Sequence, residues 1–257
     1  MEKMTIRVDS KQFTDKESGK ERLVLKDVRL QLNNGEFVAI VGPSGCGKST
    51  LLHIVAGLDQ SYRGEITWDW SGNQRSHRLG YVFQNPRLLP WLRVRSNIEL
   101  VMEKPASDSA LVDSLLAATG LQEFSHFYPG QLSLGMQRRV ALVRAFAIKP
   151  CLLLMDEPFV SLDQPTANQL RQLLITVWNT HRSSVLFVTH DLHEAVTLAD
   201  RIAFLATSPA RVICEVNVAI PRHQRDRADL TALRFGELQK LFDDLYAEDS
   251  VAQLAPC

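Results

Sequence analysis

Residues 36–50 read EFVAIVGPSGCGKST, and they are the part of the chain best suited to do chemistry. An apolar run, FVAIV, leads into Gly42-Pro43-Ser44-Gly45-Cys46-Gly47-Lys48-Ser49-Thr50, and a helical stretch, STLLHIVAGL, follows. Glycines at these spacings let a backbone wrap closely around a polyphosphate, with the N–H groups of the loop and of the following helix aimed at the anion. In that arrangement Lys48 reaches the β- and γ-phosphates, the Ser49 hydroxyl ligates Mg²⁺ and Thr50 bonds the α-phosphate. The pattern therefore predicts a nucleoside triphosphate site between a strand and a helix.

A second chemical group sits at 151–158, CLLLMDEP. Four apolar residues form an expected buried strand that delivers Asp156 and Glu157 to its C-terminal edge, where ligands of open parallel sheets bind. Next to a phosphate cradle, Asp156 is expected to hold Mg²⁺ through water. Glu157 is expected to orient and deprotonate the attacking water.

The elements that must position these groups can be read from patterning. Strands are expected near 4–9, 23–32, 36–41, 64–68 and 79–83, with turns at 18–20, 33–35 and 71–73. The stretch from about 96 to 148 reads as helical. Short apolar strands at 152–155, 185–189 and 202–206 alternate with helices at 166–181 and 193–198, the pattern of a parallel sheet covered by helices. The tail after Pro221 is charged and is expected to end in an amphipathic helix over 231–246.

Composition narrows the function. Lys+Arg and Asp+Glu both total 29 in 257 residues, so no global basic field exists to attract nucleic acid or an anionic membrane. The start, MEKMTIRVDSK, lacks the apolar core of a signal peptide. No run approaches the roughly 20 apolar residues that span a bilayer. Cys46, Cys151, Cys214 and Cys257 have no metal-ligand spacing and read as reduced, packed thiols. A cytosolic chain is expected, with any membrane role peripheral.

Further motifs follow in a fixed series. Tyr81-Val-Phe-Gln84 ends a strand with an amide at its edge, and Ser161-Leu162-Asp163 follows the acidic pair. Residues 131–145, QLSLGMQRRVALVRA, open a helix with a serine and a lone glycine, and Val185–Asp191 is a buried strand ending at His190. Taken singly, a strand-end histidine or glutamine is most often a surface or capping residue. In this order, from Lys26 to Pro221, the chain resembles the nucleotide-binding subunits of ATP-binding cassette (ABC) transporters.

The resemblance implies an α/β P-loop NTPase (RecA-like) core with an antiparallel β-subdomain and an inserted helical subdomain. The core and β-subdomain would cover about 1–84 and 150–220, the helical subdomain about 85–149 and the tail about 221–257. It implies ATP and Mg²⁺ as ligands, with Gln84 sensing the γ-phosphate and the metal and His190 stabilising charge on the γ-phosphate. Two ATPase subunits, identical or related, would face each other head to tail. Ser133 and Gly135 of one would then close on the ATP of the other, with Asp163 at the seam. An aromatic residue upstream of the cradle would stack on adenine, and Phe13 is the candidate; a surface or core phenylalanine is the other reading.

The family's LSGGQ here reads Leu132-Ser133-Leu134-Gly135-Met136. If the site required positive φ at 134, leucine would damage it; if that residue is already helical, leucine can pack outward at little cost. Retention of Ser133 and Gly135 favours the second outcome, with closure on ATP preserved, and Gln137 is placed to replace some lost hydrogen bonding.

Leu88, Leu89 and Trp91, set between prolines, suit a groove for a short helix of a membrane subunit. This LLPW text, with the turn at 208–212, looks like importers of the nitrate, sulfonate and taurine group. The implied complex adds two transmembrane permease subunits and, indirectly, a solute-binding protein, at the cytoplasmic face of the inner membrane. Two alternatives stay open: a soluble ABC ATPase of nucleic-acid or ribosome metabolism, and a non-catalytic ATP-binding regulatory subunit.

Overall fold

The computed structural model describes residues 2–15, 19–69, 78–105, 107–181, 183–207, 209–221, 224–225 and 228–246. The expected turn at 71–73, Ser18 of the turn at 18–20, Ser208 and the last eleven residues lie outside these. The chain divides into two compact units, Met1–Ser71 with Leu186–Cys257, and Gly72–Val185.

In the first unit, β1 (Lys3–Thr14) is the centre of a three-stranded antiparallel sheet, flanked by β2 (Glu21–Asn33) and β4 (Arg63–Asp69). Met4, Ile6 and Val8 alternate into the core, the period-two burial of a sheet with one solvated face. Asn33 to Glu36 form the expected turn: Gly35 takes φ 70° and the Glu36 N–H bonds the Asn33 carbonyl at 3.1 Å. The following strand, β3 (Phe37–Val41), is buried at all five positions. A continuous apolar run of this kind is what a parallel strand covered on both faces requires. Its parallel partner is β8 (Arg201–Leu205), in a register running from Val38 opposite Arg201 to Val41 opposite Phe204. On the far side of β8 lies β9 (Val212–Asn217), antiparallel. That edge strand was not expected; its mixed sequence, VICEVN, is half exposed and lacks the apolar run that marked its neighbours.

Helix α1 (Lys48–Val55) follows the glycine-rich loop, and α6 (Leu192–Leu198) follows β7 (Ser184–Thr189), which runs beside β3. The last helix, α7 (Ala228–Tyr246), lies against α6 and begins three residues before the expected start.

In the second unit, β5 (Leu79–Val82) pairs in parallel with β6 (Leu152–Asp156), Leu79 opposite Leu152. Between them come α2 (Val94–Glu99), α3 (Ser109–Ala118) and α4 (Leu134–Ala147), with short 3-10 turns at Gln122–Phe124 and Pro129–Gln131. The stretch expected to be helical is therefore three helices separated by loops. After β6, α5 (Gln164–His181) returns the chain to β7. Its indole donor, Trp178 Nε1, bonds the Ser183 carbonyl at 2.6 Å, and Ser183 Oγ bonds the Pro150 carbonyl at 2.6 Å. These bonds satisfy buried polar groups where the strand begins.

Candidate functional site

The glycine-rich loop leaves the end of β3 and closes on α1, as the motif requires. Two of its glycines are required for different reasons. A Cβ on Gly42 would come within 3.1 Å of the Leu205 carbonyl oxygen. Gly47 takes φ 117°, and a Cβ there would meet Leu25 Cδ2 at 2.9 Å and Val24 Cγ1 at 3.0 Å. No side chain caps α1, so its start depends on the backbone that Gly47 permits. Lys48 is buried, and its ammonium donates to the carbonyls of Gly42 and Pro43 at 2.8 and 2.9 Å. The lysine thus lies along the loop that would receive a polyphosphate.

The same unit carries His190, exposed just beyond the end of β7. Its surroundings are firmly tied. Asp191 caps α6 by accepting from the N–H groups of His193 and Glu194 at 2.8 and 3.4 Å. The Thr189 hydroxyl donates to Glu194 at 2.7 Å and accepts from the Asp191 N–H at 3.0 Å. The backbone on both sides of His190 is therefore held by bonds that do not use the imidazole. Phe13 lies near the end of β1, opposite Arg22, and is 46% exposed. The buried Lys11 ammonium sits 4.5 Å from its ring centre, fixed by Asp59 at 2.9 Å and the Ser61 carbonyl at 2.8 Å. One ring face is backed by a cation while much of the ring stays open to solvent.

In the second unit, β6 ends at Asp156, which is 6% exposed, and the chain turns sharply at Glu157 with φ 43°. Positive φ at a non-glycine residue costs about 1–2 kcal/mol, and such strain gathers where a side chain must be aimed. Ser161 repeats it with φ 60°. Asp163 accepts from the Thr166 N–H at 3.2 Å and so caps α5. Hydrogen bonds from the Thr166 side chain and backbone hold its carboxyl below the usual carboxylate range. Burial, and then the charge of Asp156, push the pKa of the Tyr81 hydroxyl upward.

At the start of α4, Ser133 has extended geometry (φ −62°, ψ 158°) and its Oγ accepts from the Met136 N–H at 3.3 Å. Leu134 is the first helical residue and is 43% exposed, so the backbone makes no demand that leucine cannot meet. Gly135 is buried, and a Cβ there would lie 2.7 Å from Thr166 Cγ2. Its smallness is thus required by α5 of the same chain, a reason the sequence did not suggest. Gln137 bonds the chain just before the helix start: its amide donates to the carbonyls of Pro129 and Leu132 at 3.1 and 3.2 Å.

Gln84 lies two residues past β5 and is exposed. The segment after it is held by two residues that sequence reasoning missed. Arg144 of α4 donates to the Pro86 and Arg87 carbonyls, both at 2.9 Å. Asn97 of α2 is fully buried, accepts from the Leu89 N–H at 2.8 Å and donates to the Leu92 carbonyl at 2.9 Å. An asparagine inside an otherwise apolar helical face, Val94-Asn97-Ile98, was the available signal. Trp91 is left 69% exposed at the tip of this loop.

The ABC transporter family profile matches residues 25–160. Aliphatic sulfonates import ATP-binding protein SsuB 2 of Burkholderia cenocepacia (strain HI2424) is 45% identical over 210 residues, covering 81% of this chain and 77% of that protein. SsuB of Bacillus subtilis (strain 168) is 37% identical over 255 residues, 96% of this chain and 98% of that protein. Among solved structures, the dimeric bacterial ABC transporter cassette MJ0796 superposes with a TM-score of 0.72 at 30% identity, over 85% of this chain and all of that one. Its post-hydrolysis dimer with ADP and Pi gives 0.69 at the same identity. The P-loop NTPase fold, the tied loop of Lys48 and these likenesses converge: the chain is an ATPase of the ABC transporter family.

Proposed function

We propose that this chain is the ATP-hydrolysing subunit of an importer for a small sulfonate-like anion. The carrying observation is the start of α4, where a retained serine cap and a helical, outward Leu134 keep the motif's geometry despite its altered letters. The sulfonate class rests on the names of the relatives, which align over nearly the whole chain in the Bacillus subtilis case.

In this reading the N–H groups from Gly42 to Thr50, including those of Pro43's successors Ser44, Gly45, Cys46 and Gly47, cradle the phosphates, with Lys48 on the β- and γ-positions. Phe13 stacks on adenine. The Ser49 hydroxyl, the Gln84 amide oxygen and Asp156 acting through water are all hard oxygen donors, which suits Mg²⁺. Among the described residues no three His, Cys, Asp or Glu cluster as a metal cage. Mg²⁺ bound beside phosphates needs none. When bound, the ion would neutralise charge on the β- and γ-oxygens.

Glu157 takes the proton of the attacking water, and the strained turn fixes where its carboxylate can point. His190 donates to the γ-phosphate as charge develops. A second ATPase subunit supplies Ser133 and Gly135 across the interface, with Asp163 at the seam. ATP then joins the two subunits and hydrolysis parts them.

Leu88, Leu89 and the exposed Trp91 receive a short permease helix, and Asn97 and Arg144 hold the loop that carries the signal from Gln84. Among the described residues no helix is long and apolar enough to cross a membrane. Attachment at the cytoplasmic face through two permease subunits is the proposed location.

The test is ATP hydrolysis by the chain with its permease and binding-protein partners in proteoliposomes. Ethanesulfonate should stimulate turnover and drive its own uptake. Stimulation by nitrate alone would remove the sulfonate assignment but keep the importer. Copurification with nucleic acid rather than permeases would overturn the importer itself.

A further inference from the structure

The last helix reaches the root of the phosphate loop. The parallel ladder between β3 and β8 ends with Val41 opposite Phe204, and one residue on, the strands part to release Gly42. At that parting the Tyr246 hydroxyl, from the final turn of α7, donates to the Leu205 carbonyl at 2.6 Å. The Val41 carbonyl, a second acceptor, is 3.4 Å away. One phenol carries one proton, so the shorter contact is the hydrogen bond and the longer one an alternative. The Leu205 carbonyl also borders Gly42: a Cβ on Gly42 would lie 3.1 Å from it, as near as to Cys46 Sγ. A donor supplied by Tyr246 therefore fixes the wall on which the first residue of the loop rests.

The placement is not isolated. Phe242, one turn earlier on α7, lies 4.6 Å from Tyr246 and 6.3 Å from Phe204 of β8, centre to centre. Phe235 meets His193 edge-on at 5.8 Å, three residues beyond His190. Burial, and then the nearby Cys46 of the loop, push the Tyr246 pKa upward, so the hydroxyl keeps its proton to donate. One helix thus touches both the root of the phosphate loop and the helix that follows His190.

We infer that Tyr246 is a positioning residue of the phosphate loop, and that α7 braces the loop in its anion-binding shape. The inference uses the ATP site already assigned to the family and adds a part of the chain outside the matched segment 25–160. The hydroxyl acts through the Leu205 carbonyl and touches no nucleotide.

The experiment compares Tyr246→Phe with Leu238→Val in the full-length chain. Leu238 is a buried residue of α7 whose side chain has no hydrogen-bonding group. Calorimetric ATP affinity, thermal midpoint and peptide-resolved hydrogen exchange would be measured for each. Tyr246→Phe should weaken ATP binding about threefold to tenfold, the scale of one hydrogen bond to a buried carbonyl. It should also speed exchange selectively in the peptide containing residues 42–47. Leu238→Val should lower the midpoint with ATP affinity unchanged. Unchanged affinity in Tyr246→Phe would overturn the inference. So would an equal loss of affinity in both variants, because α7 would then matter only for general stability. Failure of the wild-type chain to bind ATP would instead strike at the nucleotide site itself.

Discussion

Two helix starts in this molecule, both proposed to meet phosphates, are built in opposite ways. Helix α1 has no side-chain cap and depends on Gly47 at φ 117°, packed against Val24 and Leu25. Helix α4 has ordinary backbone, a serine cap and a leucine as its first helical residue. In the first, the backbone conformation itself is the device, so the glycine is obligatory. In the second, the conformation is one any residue adopts, so the motif can change at 134 without changing shape. Even Gly135 obeys a packing demand, from Thr166, rather than a dihedral one. Tolerance to a departure from a motif follows from whether the position is constrained by φ, by a neighbour or by neither.

The contrast can be broken at four places. Gly47→Ala adds a Cβ at 2.9 Å from Leu25 in a strained conformation, and calorimetry should find ATP binding abolished. Gly135→Ala overpacks against Thr166 and should cost about 1–3 kcal/mol in chemical denaturation. Adding Thr166→Ser, which deletes the offending methyl, should restore most of it; no rescue would mean that Gly135 is needed for something other than room. Ser133→Ala removes the cap and should cost about 1 kcal/mol in the same assay. Leu134→Gly, which restores the family's residue, should change turnover by no more than about threefold, because an exposed first-turn residue commits well under about 1.4 kcal/mol either way. A rise of several orders of magnitude would show that leucine at 134 had disabled the helix start.

Much of the fold could be read from local pattern, for identifiable reasons. FVAIV, LLLM and VLFVT are continuous apolar runs too short for a helix, the pattern of a strand buried on both faces. The glycine-lysine-serine loop could be placed because its chemistry dictates the strand before it and the helix after it. What escaped were contacts between segments far apart in sequence. Arg144 and Asn97 hold the loop after Gln84 through its backbone carbonyls and the Leu89 N–H, groups that every residue type carries alike. Strand β9 is an edge strand with mixed burial, so its pattern is weak. The helix in the charged tail could be read, but not that its last tyrosine seats at the root of the phosphate loop. The start of α4 shows the limit most clearly: the letters alone left two outcomes for Leu134, and only the backbone at Ser133 and Leu134 separates them.

The central claim is that the Ser133–Gly135 helix start still grips a second subunit's ATP, and sedimentation of Glu157→Gln tests it most directly. With hydrolysis blocked, ATP but not ADP should convert monomer to dimer. A variant that binds ATP in calorimetry yet stays monomeric at saturating nucleotide, alone and with its permease subunits, would contradict the claim.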